Sequence, residues 1–241
     1  MANHIDRSYA SEVAVFKERR RLLQRLRKLT NMHGISAPFD VLAAHYERCL
    51  RDHGDTAQGV DWPDAEGALI RYRVMAEVAR DGGGFLDFGC GAGHFLEYLQ
   101  QTHSPCPPYR GLDISPVFID LCRYKFPATV FDRLDVLAPG AIIPSADYVV
   151  MNGVFTEKRE VPYDVFFEAM TQVLVKVFAI AQRGMAFNLM SKYVDWERDD
   201  LFHVAYDDIV RFVTSLSRHH TIRADYGLRE YTVYVYKHPT K

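Results

Sequence analysis

Gly84-Phe-Leu-Asp-Phe-Gly-Cys-Gly-Ala-Gly-His-Phe95 is the strongest structural signal in the sequence. The stretch starts as a short apolar strand and ends in glycines at alternate positions, Gly89, Gly91 and Gly93, just before an amphipathic segment. A strand that turns through glycines into a helix is the first unit of a doubly wound α/β sheet. The stretch therefore predicts a strand-turn-helix unit whose bare backbone approaches a ligand.

Short apolar strands alternate with amphipathic helices from Gly84 onward. Strands are predicted at about 84–89, 109–113, 129–132, 146–152, 183–189, 220–226 and 231–237, and helices at about 92–101, 116–125, 162–179 and 206–217. Only Gly227–Glu230 separates the last two strands, which is too short for a parallel crossover. The pattern predicts an α/β fold with seven strands in a mostly parallel Rossmann-like sheet and an antiparallel strand at its C-terminal end.

The residues before Gly84 are predicted to be helical. Helices are expected over Phe16–Leu29, over Pro38–His53 with Gly54 as its stop, and from Asp61, as N-cap, to Arg80. We therefore divide the chain into an N-terminal helical extension or cap, residues 1–60, and a main domain, residues 61–241.

Composition excludes several classes of protein. The 241 residues are 48% apolar and 25% charged, as expected of one globular domain with appended helices. No apolar run is long enough to span a bilayer and no signal peptide pattern is present, so we expect a soluble, cytoplasmic protein without a membrane partner. Four scattered cysteines without CxxC spacing indicate reduced thiols and no metal site.

The segment Phe16–Leu29 is rich in arginine and lysine around an apolar stripe. The segment is either an outer helix with solvated charges or a surface for RNA or an anionic substrate. The whole chain carries a formal net charge of −2, which provides no global attraction to a phosphate backbone. A nucleic-acid partner is therefore not expected, although the basic segment keeps that alternative open.

The glycine turn fits two classes of ligand. A dinucleotide site has the spacing G-x-G-x-x-G, but His94 occupies the position of its third glycine. S-adenosylmethionine (SAM) is a cationic sulfonium compound without phosphate, and it calls for open backbone and carboxylates, which Gly89, Gly91 and Asp87 provide. A glycine turn that serves only tight packing is the third alternative.

Polar residues also follow the next three strands. Asp113 ends the second strand, where an acidic side chain can accept both hydroxyls of a ribose. Asp135 follows the third strand and could accept an adenine amino group, with Val136 against the ring, and Asn152-Gly153 ends the fourth. Each aspartate alone could be a cap or turn residue; their order at successive strand ends indicates one nucleoside-binding crevice.

Together these motifs resemble those of class I SAM-dependent methyltransferases over about residues 60–237. Leu86–Gly93 is similar to the family's first motif, Leu134–Val136 to its adenine-side motif and Asp147–Phe155 to its fourth motif. The resemblance implies SAM as cofactor and S-adenosylhomocysteine (SAH) as product. The cofactor-binding residues that we predict on this basis are Asp87, Phe88, Gly89, Cys90, Gly91, Asp113, Ile114, Asp135, Val136, Asn152 and Gly153.

The resemblance also sets limits on the acceptor. In DNA and protein amide N-methyltransferases, an Asn or Asp at the fourth motif is followed by Pro-Pro-Tyr or a similar sequence. Met151–Phe155 lacks this motif, which argues against methylation of a base amino group. The paired catalytic cysteines of cytosine C5 enzymes are also missing. The run Asp225–Tyr236 resembles methyltransferases of bacterial type without pointing to an acceptor.

The acceptor side is predicted from the irregular segment Asn188–His203. His203 is the candidate general base, because imidazole exchanges protons near neutral pH; a structural histidine is the alternative. Tyr193 and Trp196 are candidate pocket residues and Trp62 a candidate cover for the cofactor, each with packing as the alternative.

Three functions remain open. We expect O- or N-methylation of a small metabolite or biosynthetic intermediate; the alternatives are an RNA methyltransferase and a SAM-binding protein without transfer activity.

Overall fold

The computed structural model describes residues 37–240. The predicted basic helix over Phe16–Leu29 lies outside these residues. Contacts group the chain from Pro38 onward into one compact unit that contains every strand. This unit includes a helix from the segment that we predict to be an extension, residues 1–60.

Six α-helices and eight strands are found in the described residues. The helices are α1 (Ala37–His53), α2 (Ala65–Ala76), α3 (His94–Thr102), α4 (Pro116–Lys125), α5 (Tyr163–Ile180) and α6 (Tyr206–Leu216), with short 3-10 turns at Gln58–Val60 and Glu77–Ala79. The strands are β1 (Phe85–Phe88), β2 (Tyr109–Asp113), β3 (Val130–Arg133), β4 (Ala146–Met151), β5 (Ala181–Ser191), β6 (His203–Val204), β7 (His220–Arg223) and β8 (Glu230–Tyr236).

The sheet has the order β3-β2-β1-β4-β5-β8-β7, and β6 pairs with β5 off this path. Strands β1 to β5 pair in parallel, whereas β8 is antiparallel to β5 and to β7. The Rossmann-like architecture and the antiparallel C-terminal hairpin are therefore confirmed.

The predicted strand count of seven was wrong, because β6 was missed. β6 contains only His203 and Val204 and pairs in parallel with Met190 and Ser191 of β5. Two residues are too few to show a strand's alternation of apolar and polar side chains. The pairing arises because the chain returns to the end of β5 beyond the last residue paired with β4.

The start of α2 also differs from its prediction. Asp64, not Asp61, is the N-cap, and its Oδ1 atom accepts a 2.6 Å hydrogen bond from the Gly67 amide. Asp61 instead ends the 3-10 turn in a left-handed conformation with φ of 59°. An N-cap residue has extended φ and ψ angles, so Asp61 cannot fill that role.

The sheet is covered on both faces. In β4, Val149 and Met151 belong to the apolar cluster that contains α5, while Tyr148 and Val150 belong to the cluster that contains α2 and α3. Successive strand residues point to opposite faces, which explains this division. Burial of one large side chain, such as Phe166, stabilises the fold by about 1.5–3 kcal/mol.

The structure also bears on the cysteines and on membrane-spanning helices. All four cysteines are free thiols in the structure. Within residues 37–240 we find no helix with both the length and the apolar character needed to cross a bilayer.

Candidate active site

An open pocket of about 1110 Å³ lies at the carboxyl ends of the central parallel strands. It is centred where β1 pairs with β2 on one side and β4 on the other, so the chain leaves the sheet in opposite directions. Such a topological switch point is the usual ligand site of doubly wound sheets. Every predicted cofactor residue lines this pocket: Asp87, Phe88, Gly89, Cys90, Gly91, Asp113, Ile114, Asp135, Val136, Asn152 and Gly153.

The glycine turn after β1 needs glycine for two different reasons. Gly89 and Gly91 have φ angles of 73° and 50°, in the region that side chains avoid. A Cβ atom on Gly89 would lie 2.6 Å from Cγ2 of Val154, whereas one on Gly91 would meet nothing closer than Val60 at 3.5 Å. Gly89 thus allows close packing, and Gly91 leaves backbone open to the pocket.

Asp113, at the end of β2, is bound to the glycine turn. Its Oδ2 atom accepts a 2.9 Å hydrogen bond from the Gly91 amide, and Oδ1 accepts one of 2.9 Å from Ser115. Burial raises the pKa of Asp113, and these backbone hydrogen bonds oppose the rise. A carboxylate has about four acceptor positions, so both oxygens retain capacity for a ligand's hydroxyl groups.

Asp87, on β1, is buried beside Asp113 with 2% of its surface exposed. The Tyr109 hydroxyl donates a 2.6 Å hydrogen bond to Oδ2 of Asp87. Burial, together with the charge of Asp113, raises the pKa of Asp87 to about 7, although the tyrosine opposes the rise. The carboxyl group can therefore gain or lose its proton near neutral pH, and a cation in the pocket favours the ionised form.

The turn after β4 leaves one polar atom without a partner. Oδ1 of Asn152 is buried and unbonded, the one such side-chain atom in the part of the chain that the structure describes. A buried acceptor without a donor costs about 1–3 kcal/mol, so this atom is suited to a donor on a ligand, such as an ammonium group. Next to it, Gly153 has φ of 81° and lies under the Trp62 indole.

The third strand end forms a mixed polar and apolar wall. Asp135 and Val136 line the pocket together with Leu134 and Leu137. The Asp135 carboxylate accepts a 2.9 Å hydrogen bond from the Leu137 amide, which fixes the side chain in the turn. Such a wall fits a flat heterocycle with an amino group on its edge.

Helix α1, from the segment that we predict to be an extension or cap, supplies a pocket wall whose individual residues we did not predict. Its lining residues are Phe39, Leu42, Ala43 and Tyr46. Their spacing of three and four residues is the helical signal that could have identified them. The Ser115 hydroxyl donates a 2.5 Å hydrogen bond to Glu47, which joins this helix to the end of β2.

Of the three aromatic candidates, Trp62 lines the pocket, whereas Tyr193 and Trp196 do not. Tyr193 is 64% exposed and packs on Tyr206, with ring centroids 4.8 Å apart. Trp196 is 37% exposed and packs edge-on against His203. The structure therefore brings only Trp62 to the site, because the segment before β6 folds against β5 and α6.

His203 lies outside the pocket lining and is 4% exposed. Its Nδ1 atom lies 2.7 Å from the Ser191 carbonyl oxygen, and Nε2 lies 3.4 Å from the Arg198 amide. Both ring nitrogens thus face backbone groups within the same segment. This geometry matches a structural histidine that holds β6 to β5, and it gives no support to His203 as general base.

A second group of ionisable residues borders the pocket. In this His45 cluster, formed by His45, Asp61 and Glu157, one imidazole nitrogen faces both carboxylates: Nε2 lies 2.6 Å from Oδ2 of Asp61 and 3.6 Å from Oε2 of Glu157. Burial and the nearby Asp61 raise the pKa of Glu157 to about 8. Arg159 also contacts Glu157, at 3.2 Å. These residues are far apart in sequence, so no local motif pointed to them.

The His45 cluster reaches the pocket through its chain neighbours. Tyr46 follows His45, and Val60 and Trp62 flank Asp61; all three line the pocket. Together with Cys49, two members of the cluster could also be considered as metal ligands. The possible ligand atoms of His45, Cys49 and Asp61 lie within 4.8 Å of one another. Two ligands of one tetrahedral zinc ion are separated by about 3.3 Å. The 2.6 Å contact between His45 and Asp61 therefore fits a shared proton better than a metal ion.

Residues 86–177 match the family model of a methyltransferase domain. That range contains the glycine turn, the three strand-end acids and Asn152-Gly153. The chain carries a class I SAM-dependent methyltransferase domain. No curated protein sequence shows a significant match to the chain.

Solved methyltransferase structures share the fold of this domain. The plantazolicin methyltransferase BpumL, in complex with a monoazolic desmethylPZN analog and SAH, is 12% identical with a TM-score of 0.57, over 90% of this chain and 99% of that one. Magnesium protoporphyrin IX methyltransferase from Synechocystis PCC 6803, with bound SAM, is 15% identical with a TM-score of 0.52, over 72% and 81%.

The same fold also occurs in an enzyme with a different kind of acceptor. The small RNA methyltransferase HEN1 is 14% identical with a TM-score of 0.51, over 74% of this chain and 26% of that one. Identities at this level establish a common methyltransferase fold. Because one fold serves both small molecules and RNA, the acceptor of this domain has to be inferred from its own site.

Proposed function

We propose that this methyltransferase binds SAM across the ends of β1, β2, β3 and β4 and transfers its methyl group to a small molecule held under α1 and Trp62. The observation that supports this proposal best is the single pocket lined by every predicted cofactor residue. The functional unit then includes α1, since this helix contributes part of the wall.

Three regions of the pocket match three parts of SAM. The Asp113 carboxylate, held by the Gly91 and Ser115 amides, would accept the ribose hydroxyls. Asp135 and the apolar residues around it would contact adenine. The unpaired Oδ1 atom of Asn152 would accept a hydrogen bond from the amino group of the methionine part.

Charge favours a cation over an anion in this pocket. The lining contains the carboxylates of Asp87, Asp113 and Asp135 and no lysine or arginine from the described residues. The aromatic ring of Tyr46, which lines the pocket, adds a favourable site for a positive group. A polyanion such as RNA needs basic residues to replace its counterions, so the pocket supports a small acceptor instead.

Methyl transfer is a displacement at carbon in which the acceptor atom attacks and SAH leaves. SAM supplies an activated methyl group, so the protein acts by positioning the acceptor and by excluding water. An acceptor hydroxyl or ammonium group must also lose a proton. The His45 cluster is the proposed proton acceptor, because its imidazole faces two carboxylates. His45 and Asp61 are also direct chain neighbours of residues that line the pocket.

The proposal is tested by measuring SAH formation from SAM with separated cell-extract fractions. We expect turnover with a fraction of small molecules below about 1 kDa. Asp113→Ala, in which the proposed ribose contact is lost, should need a higher SAM concentration for the same rate. Turnover that appears only with the RNA fraction, or failure of the wild-type protein to bind SAM in calorimetry, would overturn the proposal.

The proposed proton acceptor is tested with the same fraction by a pH profile. The wild-type rate should rise as Glu157 loses its proton near pH 8. Glu157→Gln keeps the side-chain shape and removes the titrating group, so this rise should disappear. Asp199→Asn, an exposed change, serves as the control. A pH profile identical in wild type and Glu157→Gln would exclude Glu157 from this role.

A further inference from the structure

Five residues beside the pocket form a closed circuit of contacts, which we call the Glu230 network. The Gly153 amide donates a 2.8 Å hydrogen bond to Oδ1 of Asn188, and Nδ2 of Asn188 donates one of 3.1 Å to Glu230. Arg71 donates a 2.9 Å hydrogen bond to Glu230 and stacks 4.1 Å from the centre of the Trp62 indole. The indole closes the circuit by covering Gly153, where a Cβ atom would lie 2.8 Å from it.

The two central members of the network are buried, and their side-chain oxygen and nitrogen atoms are hydrogen-bonded within it. Asn188 is 0% exposed and Glu230 is 2% exposed. Asn188 cannot exchange the positions of its oxygen and nitrogen, since the oxygen accepts from a backbone amide and the nitrogen donates to a carboxylate. Glu230 uses one oxygen for Asn188 and the other for Arg71.

The members come from separate parts of the fold. Arg71 is on α2, Asn188 on β5 and Glu230 on β8, whereas Gly153 follows β4 and Trp62 precedes α2. A buried charged pair is weak evidence of a role in stability, because apolar residues of similar volume often stabilise a core equally well. The charged and polar groups instead orient the Gly153 amide and the Trp62 indole at the pocket.

Only one end of the pocket is attached to this network. Gly153 is the direct neighbour of Asn152, whose unpaired Oδ1 is the proposed contact for the cofactor's amino group. Asp113 and Asp135 lie on the β2 and β3 side and share no hydrogen bond with the network. The network is therefore placed to affect one part of the ligand and not the other.

We propose that Arg71, Asn188 and Glu230 are positioning residues that hold the Asn152-Gly153 turn and Trp62 in place for the amino-acid end of SAM. This inference rests on the proposed binding mode of the cofactor. If it holds, weakening the network reduces affinity only for ligands that possess the amino-acid end. Affinity for the adenosine end is unchanged.

The test compares SAH with 5′-methylthioadenosine, which retains adenine, ribose and sulfur but lacks the amino-acid end. Glu230→Gln keeps the volume and replaces the charged partner of Arg71 with a neutral one. We expect SAH to bind about tenfold more weakly to this variant, as for the loss of a charge-assisted hydrogen bond, and 5′-methylthioadenosine to bind as it does to wild type. Both dissociation constants are measured by calorimetry.

Two further variants keep the result interpretable. Trp62→Phe reduces the aromatic surface on which Arg71 stacks without changing any charge. It should also weaken SAH selectively if Glu230→Gln does not fold. Asp132→Asn, in an exposed ion pair with Arg110, is the matched control and should change neither affinity.

Each outcome has a distinct meaning. Equal weakening of both ligands, or no change for either, would overturn the positioning role while the cofactor proposal stands. If wild-type protein binds 5′-methylthioadenosine as tightly as SAH, the amino-acid end makes no contact and the inference fails. Wild-type protein that binds neither ligand would overturn the proposed cofactor site itself.

Discussion

Tyr109 and Asp87 form a 2.6 Å hydrogen bond between neighbouring strands, with the tyrosine hydroxyl as donor. Tyr109 begins β2 and Asp87 lies in β1, two residues beyond the position that pairs with the tyrosine. The bond only partly offsets the burial of the carboxyl group, so the pKa of Asp87 stays raised, at about 7. A buried acid of this kind makes stability depend on pH.

We predict that Asp87 destabilises the fold as pH rises from about 4 to about 7. Over this range the folded protein still holds a proton that the unfolded chain, with the ordinary pKa of 3.8, has lost, so rising pH favours unfolding. Between these two pH values the free energy of unfolding should therefore fall by about 2–4 kcal/mol less in Asp87→Asn than in wild type. Urea unfolding at both ends of the range measures the difference; parallel curves for the two proteins would contradict it.

Asp113→Ala should weaken SAH binding by about 1–3 kcal/mol, because the proposed ribose hydroxyls lose their acceptor. The substitution also releases the Gly91 amide, which now donates to this carboxylate. Calorimetric titration with SAH gives the affinity, and circular dichroism checks the fold. Asp132→Ala, at a partly exposed site on β3, is the control. An Asp113→Ala protein that is folded and binds SAH normally would contradict the ribose assignment.

Gly89→Ala should abolish measurable SAM binding or prevent folding, since the new methyl group would lie 2.6 Å from Val154. Gly227→Ala is a matched control, because Gly227 has a similar φ of 79° but nothing within 4 Å. Both variants carry the backbone strain of about 1 kcal/mol, and only Gly89→Ala carries the clash.

A second substitution separates these two effects. Adding Val154→Ala removes the clashing methyl group and should restore part of the stability of Gly89→Ala. Thermal unfolding of the single and double variants measures this recovery. If the double variant is no more stable than Gly89→Ala, contact with Val154 is not the reason for glycine at this position.

His203→Ala should lower stability by about 1–3 kcal/mol and leave SAH affinity unchanged, because both imidazole nitrogens face backbone groups away from the pocket. Chemical denaturation and calorimetry provide the two measurements. Loss of turnover across all pH values, in a variant that binds SAH normally, would instead restore His203 as a candidate general base.

The first strand-turn-helix unit could be predicted because its signals are local. Gly89 and Gly91 adopt positive φ angles within the stretch that contains them, and Asp113 follows its own strand directly. The start of α2 and the strand β6 could not be predicted from local signals. Asp61 resembled a cap until the preceding 3-10 turn gave it a left-handed conformation, and β6 exists only because β5 has a free edge at Met190 and Ser191.

Local sequence signals were even less informative about the residues on the acceptor side of the pocket. His203 has the chemistry of a general base, but its burial against Ser191 removes it from the pocket. Conversely, nothing in the local sequence distinguishes His45 or Glu157, which lie more than one hundred residues apart in the chain and 3.6 Å apart in space.

The amino-acid sequence by itself determined the α/β order of the strands, the glycine turn and the acids at the strand ends, because each depends on residues that are close neighbours in the chain. Only the tertiary structure decided the wall formed by α1, the His45 cluster and the Glu230 network. These features depend on which distant segments pack together, and that packing follows from burial of apolar faces over the whole sheet.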